Sequence, residues 1–148
     1  MDLSIDPGRT GGAVFIKEGK PFKYSLFERG YKNFFNLIQE HKSEIKNIII
    51  ENVRGYAGEN VKSVFTFGKE LGKVEGILLA SDFPLDKVIR IEPRTWVSFY
   101  KDVFTCKTKK KSCKAVKKLF NFDEIARYDS LSDAYLIWWY WEKTKALK

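Results

Sequence analysis

Asn47-Ile48-Ile49-Ile50-Glu51 is the stretch on which the fold turns. Three consecutive β-branched residues in so short an apolar run read as a buried strand. The residue that ends it is out of place, because an acid closing a wholly apolar strand gains little from burial unless a cation or a hydrogen-bond donor meets it. Upstream, Asp2 to Asp6, Gly12 to Lys17 and Pro21 to Phe27 are short apolar or alternating segments. Pro7-Gly8 and Glu18-Gly19-Lys20 separate them as turns, so they read as three consecutive antiparallel strands. Between these and the central run, Tyr31 to His41 places Phe34, Phe35, Leu37 and Ile38 at helical spacing.

Downstream, Glu59 to Ala80 is helical and carries Gly68, Gly72 and Gly76 four apart on one face. Each glycine costs a helix about 1 kcal/mol relative to alanine, so three in line imply that another backbone comes close. That backbone belongs either to this chain or to a second copy of it, with even weight on each. Lys87 to Ile91 is a fifth strand. Pro93 suits the first turn of a short helix running to Tyr100, Lys109 to Leu119 forms another helix, and Tyr128 to Lys145 a long last one. Strands separated by helices tend to be parallel, whereas the opening meander is antiparallel. The expected fold is α/β, a five-stranded mixed sheet flanked by helices, in one domain spanning residues 1–148.

The 148 residues are 44% hydrophobic and 16% aromatic, which excludes a disordered or fibrous chain. The most apolar stretch, Ala134 to Trp141, runs straight into Glu142 and Lys143, too soon for a membrane helix, and MDLSIDPG lacks the layout of a signal peptide. A soluble intracellular protein is expected, cytoplasmic in a bacterial or viral source. Cys106, Cys113 and the single His41 cannot supply a four-ligand zinc site, so two reduced thiols are expected. In Trp138-Trp139-Tyr140-Trp141 the expected role is core packing that pins the last helix to the sheet.

The formal charge of +8 is unevenly spread: Val103 to Phe122 holds Lys107, Lys109, Lys110, Lys111, Lys114, Lys117 and Lys118 with no acid, and the remainder is nearly neutral. Clustered lysines suit a phosphate backbone, since each neutralised phosphate also releases counterions. An acidic site elsewhere would make such a binder an enzyme. Asp6 ends the first strand and Glu51 the fourth; on neighbouring parallel strands they stand side by side at the edge where α/β sheets collect ligands. Asp129 and Asp133, four apart on the last helix, share a face. Singly, Asp6 reads as a turn residue and Asp129 as a helix N-cap. Together, four oxygen ligands from three elements suit two hard divalent cations, the arrangement used for in-line displacement at phosphorus.

Three motifs in order carry a resemblance across nearly the whole chain: Ser4-Ile5-Asp6-Pro7-Gly8 with Thr10-Gly11-Gly12, Ile48-Ile49-Ile50-Glu51-Asn52-Val53, and Ser132-Asp133-Ala134-Tyr135-Leu136-Ile137. Between them, Phe67-Gly68-Lys69-Glu70-Leu71-Gly72, Glu92-Pro93-Arg94 and Lys111-Ser112 fall in register. The chain resembles the RuvC family of Holliday junction resolvases, in the RNase H-like nuclease superfamily. The resemblance implies a homodimer, joined through the glycine-bearing helix, that binds four-way DNA junctions and nicks them symmetrically with Mg²⁺, Mn²⁺ being the alternative ion. The ends left would be a 5′-phosphate and a 3′-hydroxyl. It also implies Asp6, Glu51 and Asp133 as metal ligands. The family's fourth acid falls at Ser130, and Asp129, one residue earlier on the same helical face, takes its place. Lys111 would hold the scissile phosphate, while Lys107, Lys109, Lys110, Lys114 and Arg54 position DNA. A family lysine is replaced by Val97, with Lys101 nearby, and the aromatic residue expected after Glu51 is replaced by Arg54, leaving Tyr56 to stack on bases at the junction centre.

Two other readings stay open: an RNase H-like nuclease acting on other branched DNA or on RNA–DNA hybrids, and a junction-binding module without turnover. Four acids facing DNA argue against the second, since without metal they would repel phosphate.

Overall fold

The computed structural model describes residues 1–55, 58–104 and 111–147. Its single sheet has the order β3-β2-β1-β4-β5, built from β1 (Asp2–Asp6), β2 (Gly12–Lys17), β3 (Lys20–Leu26), β4 (Asn47–Glu51) and β5 (Ile89–Ile91). The meander β1-β2-β3 is antiparallel, and β1, β4 and β5 run parallel to one another. This is the expected five-stranded mixed sheet, with the strand Asn47–Glu51 at its inside. The helices are α1 (Lys32–His41), α2 (Val61–Ala80), α3 (Pro93–Phe99), α4 (Lys111–Phe120) and α5 (Asp129–Thr144).

Strand alternation divides the core in two. Leu3, Ile5, Ala13, Phe15, Ile48 and Ile50 point to the side of Phe34, Ile38, Val74 and Leu78 on α1 and α2. Val14, Ile16, Ile49 and Ile91 point to the other side, where Leu131, Ala134, Tyr135 and Trp138 of α5 and Trp96 of α3 cover them. The parity places Ser4 and Asp6 of β1, like Glu51 of β4, on the α5 side.

Several boundaries differ from expectation. Leu85–Lys87 forms a 3₁₀ turn and not strand, so β5 is only three residues long. Helix α2 starts at Val61 because the Asn60 side chain accepts hydrogen bonds from the backbone N–H groups of Lys62 and Ser63. Helix α5 starts at Asp129 with Tyr128 as N-cap and no side-chain cap, so Asp129 is not the capping residue its sequence context suggests. Of the aromatic run, Trp138 is buried and bonded through its indole N–H to Asp2 at 2.9 Å, whereas Trp139, Tyr140 and Trp141 are only partly buried.

Candidate active site

The turn between β1 and β2 is shaped by close approach. Gly8 has φ +137, a backbone conformation that side chains disfavour, and a Cβ on Gly11 would lie 2.2 Å from the carbonyl oxygen of Asp6. The Gly11 N–H donates to the Gly8 carbonyl at 3.0 Å, closing the loop directly after Asp6. Ile5 pairs with Ile50 across the parallel β1/β4 ladder, so Asp6 and Glu51, each one residue further on, lie adjacent at the C-terminal edge. Helix α5 crosses the same side of the sheet and brings Asp133 to them.

Three of the four expected acids stand close enough to perturb one another. The Asp6 carboxyl lies well above the usual carboxylate range, through burial first and then the charges of Asp133 and Glu51. Burial also raises Glu51, the Trp96 hydrogen bond opposes that rise, and the charge of Asp133 adds to it. Asp133 is pushed up to about 6, by burial above all; the Ser112 hydrogen bond works against it, Asp129 adds, and Lys111 lowers. Asp129 therefore belongs to the same field through Asp133, from the exposed end of α5.

Among the described residues, however, no three His, Cys, Asp or Glu side chains already stand together as a metal-holding group. The expected four-carboxylate cage is thus an electrostatically coupled set and not a closed cluster. The reason lies in local donors. The Trp96 Nε1–H donates to Glu51 Oε1 at 2.8 Å, Ser112 donates to Asp133, and the Cys113 thiol donates to Asp129 Oδ1 at 3.1 Å. Like-charged carboxylates at a buried edge gain more from separate donors than from one another. The set still suits a hard divalent cation, since every candidate ligand is a carboxylate oxygen and the coupled rise in Asp6, Glu51 and Asp133 is what a cation relieves.

Trp96, Ser112 and Cys113 were not legible as site residues. Trp96 reads as core, and only its place four residues into the helix that follows β5, next to β4, could have hinted at the edge. Cys113 is a buried free thiol whose acidity is weakened, to about 11, by burial first and then by Asp129. Of the expected DNA-contacting residues, Lys111 and Lys114 are exposed on α4, and Lys111 Nζ also lies 4.9 Å from the Phe104 ring centroid. Arg54 is exposed but ion-paired to Glu92 at 3.0 Å, which in turn accepts from Asn52. Tyr56, Lys107, Lys109 and Lys110 lie outside the described residues, as does Cys106.

A mixed β3-β2-β1-β4-β5 sheet with acids at the ends of β1 and β4 and on a crossing helix defines an RNase H-like fold, of the RuvC-like kind. The chain is similar to the solved structure of Thermus thermophilus RuvC in complex with a Holliday junction substrate, with a TM-score of 0.65 at 16% identity, covering 99% of this chain and 95% of that one. A second Thermus thermophilus RuvC structure aligns over the same shares with a TM-score of 0.56 and 19% identity. At such identities the likeness is one of fold. No protein-family model matches the chain, and neither does any curated protein. No helix among the described residues is long and apolar enough to cross a membrane.

Proposed function

We propose that the chain is a divalent-metal-dependent endonuclease that cuts four-way DNA junctions by paired, symmetric nicks, leaving 5′-phosphate and 3′-hydroxyl ends. The observation that carries this reading is the coupling of Asp6, Glu51 and Asp133, drawn from two strands and a helix to one edge of a RuvC-like sheet. Asp6, Glu51, Asp129 and Asp133 would hold Mg²⁺ or Mn²⁺, which when bound supplies Lewis-acid activation of water and neutralises charge at the leaving oxygen. Trp96 fixes one Glu51 oxygen by donating to it. Ser112 orients Asp133, and Lys111, beside it at the start of α4, offers a cation to the scissile phosphate. Lys107, Lys109, Lys110 and Lys114 follow the backbone without reading sequence.

The dimer that symmetric nicking requires is supported by the outer face of α2. Among the described residues, a Cβ added at Gly68, Gly72 or Gly76 meets nothing within 4 Å, so intramolecular packing does not explain the glycines. Val61, Phe65 and Leu79 flank them at 83%, 73% and 53% exposure.

Incubating a labelled four-way junction with Mg²⁺ and with EDTA tests the reading. Paired nicks are expected only with Mg²⁺. Asp6→Asn should abolish cleavage while junction binding survives or tightens; nicking retained by that variant overturns the assignment. Equal rates on a flap, a linear duplex or an RNA–DNA hybrid would move the activity to another substrate.

A further inference from the structure

The sequence assigns nearly all surplus charge to the segment around α4, yet α2 bears a second basic face on the other side of the candidate site. Lys62, Thr66, Lys69 and Lys73 recur at intervals of four, three and four and so form one stripe. This stripe is distinct from the buried face of Glu70, Val74 and Leu78 and from the glycine face. Two depressions open along it. Arg9, exposed in the β1–β2 turn three residues after Asp6, lines both: one with Lys62, Ser63 and Thr66, the other with Thr10, Tyr31, Lys73 and the acids Glu28 and Glu70.

The turn is seated on the helix that carries the lysines, since a Cβ on Gly8 would lie 3.7 Å from the Phe67 ring. Glu70, on the buried face beside the stripe, is already engaged: the Tyr31 hydroxyl donates to one of its oxygens and Lys73 Nζ to the other, each at 2.7 Å. Arg9, Lys62 and Lys69 have no ion pair among the described residues. The first N–H groups of α2 are taken up by Asn60, so an anion here is held by side chains and not by the helix end. Two long basic side chains around Arg9, interleaved with hydroxyls, suit a phosphodiester backbone rather than a base edge.

We propose that Arg9, Lys62, Lys69 and Lys73 form a second phosphate track, running from the Asp6 turn along α2, which holds a duplex arm on the side of the site away from α4. The proposal rests on the DNA-nuclease reading and extends it to where the substrate lies. A strand held at Arg9 enters the site beside Asp6, while the α4 lysines hold the backbone on the far side.

The test is equilibrium binding of the full chain to a duplex and to a four-way junction in EDTA, over a series of salt concentrations. The wild type is compared with Arg9→Gln/Lys62→Gln/Lys69→Gln and with a Lys20→Gln/Lys46→Gln control, exposed lysines outside both basic faces, whose slope should equal that of the wild type. Each phosphate contact contributes about 0.9 to the slope of log affinity against log salt. The triple variant should therefore lose about 2 to 3 from the slope for each protomer engaged, with an unchanged far-ultraviolet circular dichroism spectrum. Single Arg9→Gln and Lys62→Gln variants should each lose about 1. An unchanged slope overturns the track. So does intact DNA binding with lost binding to polyglutamate, which would give the face to an acidic protein. Because no cleavage occurs in EDTA, failure of nicking by the wild type in Mg²⁺ would be seen separately.

Discussion

Asp133 stores a testable penalty. Its carboxyl ionises at about 6 in the fold, against roughly 3.9 for an unperturbed aspartate. A folded-state pKa above the unfolded one favours the fold while the group is protonated, so that stability is full below about pH 4 and is lost as pH rises through about 6. Above that, ionised Asp133 costs the metal-free protein on the order of 3 kcal/mol. Asp133→Asn should therefore raise the melting temperature in EDTA at pH 8, and the advantage should vanish towards pH 4. Adding Mg²⁺ at pH 8 should stabilise the wild type and hardly change the variant. A pH-independent difference between the two would contradict the assignment. Trp96→Phe makes a companion case. It keeps an aromatic ring in the core but removes the hydrogen bond given to Glu51 Oε1 at 2.8 Å. Groups that orient metal ligands typically govern 10- to 100-fold in affinity. Calorimetric titration with Mn²⁺ should show at least a tenfold weaker ion, with an unchanged circular dichroism spectrum. The acids themselves were legible because an acid at the end of an apolar run breaks a pattern. Their donors were not, because Trp96, Ser112 and Cys113 keep to the patterns of the helices that carry them.

Elements succeed or fail in a sequence reading according to what stops them. The strands β1, β2 and β4 were readable because their apolar periodicity is interrupted by turn residues and because β4 has room for nothing but a strand. The cap of α5 and the start of β5 were not. Asp129-Ser130 looks like a cap, but the 3₁₀ turn at Ile125–Arg127 delivers the chain so that Tyr128 takes the capping position. Asp129 is thereby released to accept from Cys113, which makes the helix start part of the site. The β1–β2 turn shows the same dependence on a single contact. At Gly11 an added methyl meets the Asp6 carbonyl at 2.2 Å and the Gly8 carbonyl at 2.9 Å, both backbone atoms of the turn itself. Relief requires Asp6 to move. Gly11→Ala should lower stability by roughly 2–3 kcal/mol, as overpacking against fixed atoms does. A chemical denaturation midpoint equal to that of the wild type would show that the turn yields at no cost.

At the scale of the whole molecule, the glycines of α2 set stability and assembly against each other. In an isolated chain, three glycines on an open helix face are a defect: each costs about 1 kcal/mol relative to alanine, and nothing described stands within 4 Å to require them. Exposed Val61, Phe65 and Leu79 on the same face add apolar surface that water disfavours. Both costs are recovered if a second α2 packs across the glycines, where the absent side chains let two backbones approach. That arrangement would also place two acidic edges in a fixed relation, which one protomer cannot do, and cutting both strands of a junction at related positions requires it. Gly72→Leu separates the alternatives, because its effect has opposite sign in the two cases. In a monomeric protein it should raise the melting temperature and leave light scattering unchanged. In the dimer proposed above it should convert a two-chain particle at micromolar concentration into one chain, keep the circular dichroism spectrum, and leave junctions nicked once where the wild type releases them nicked twice.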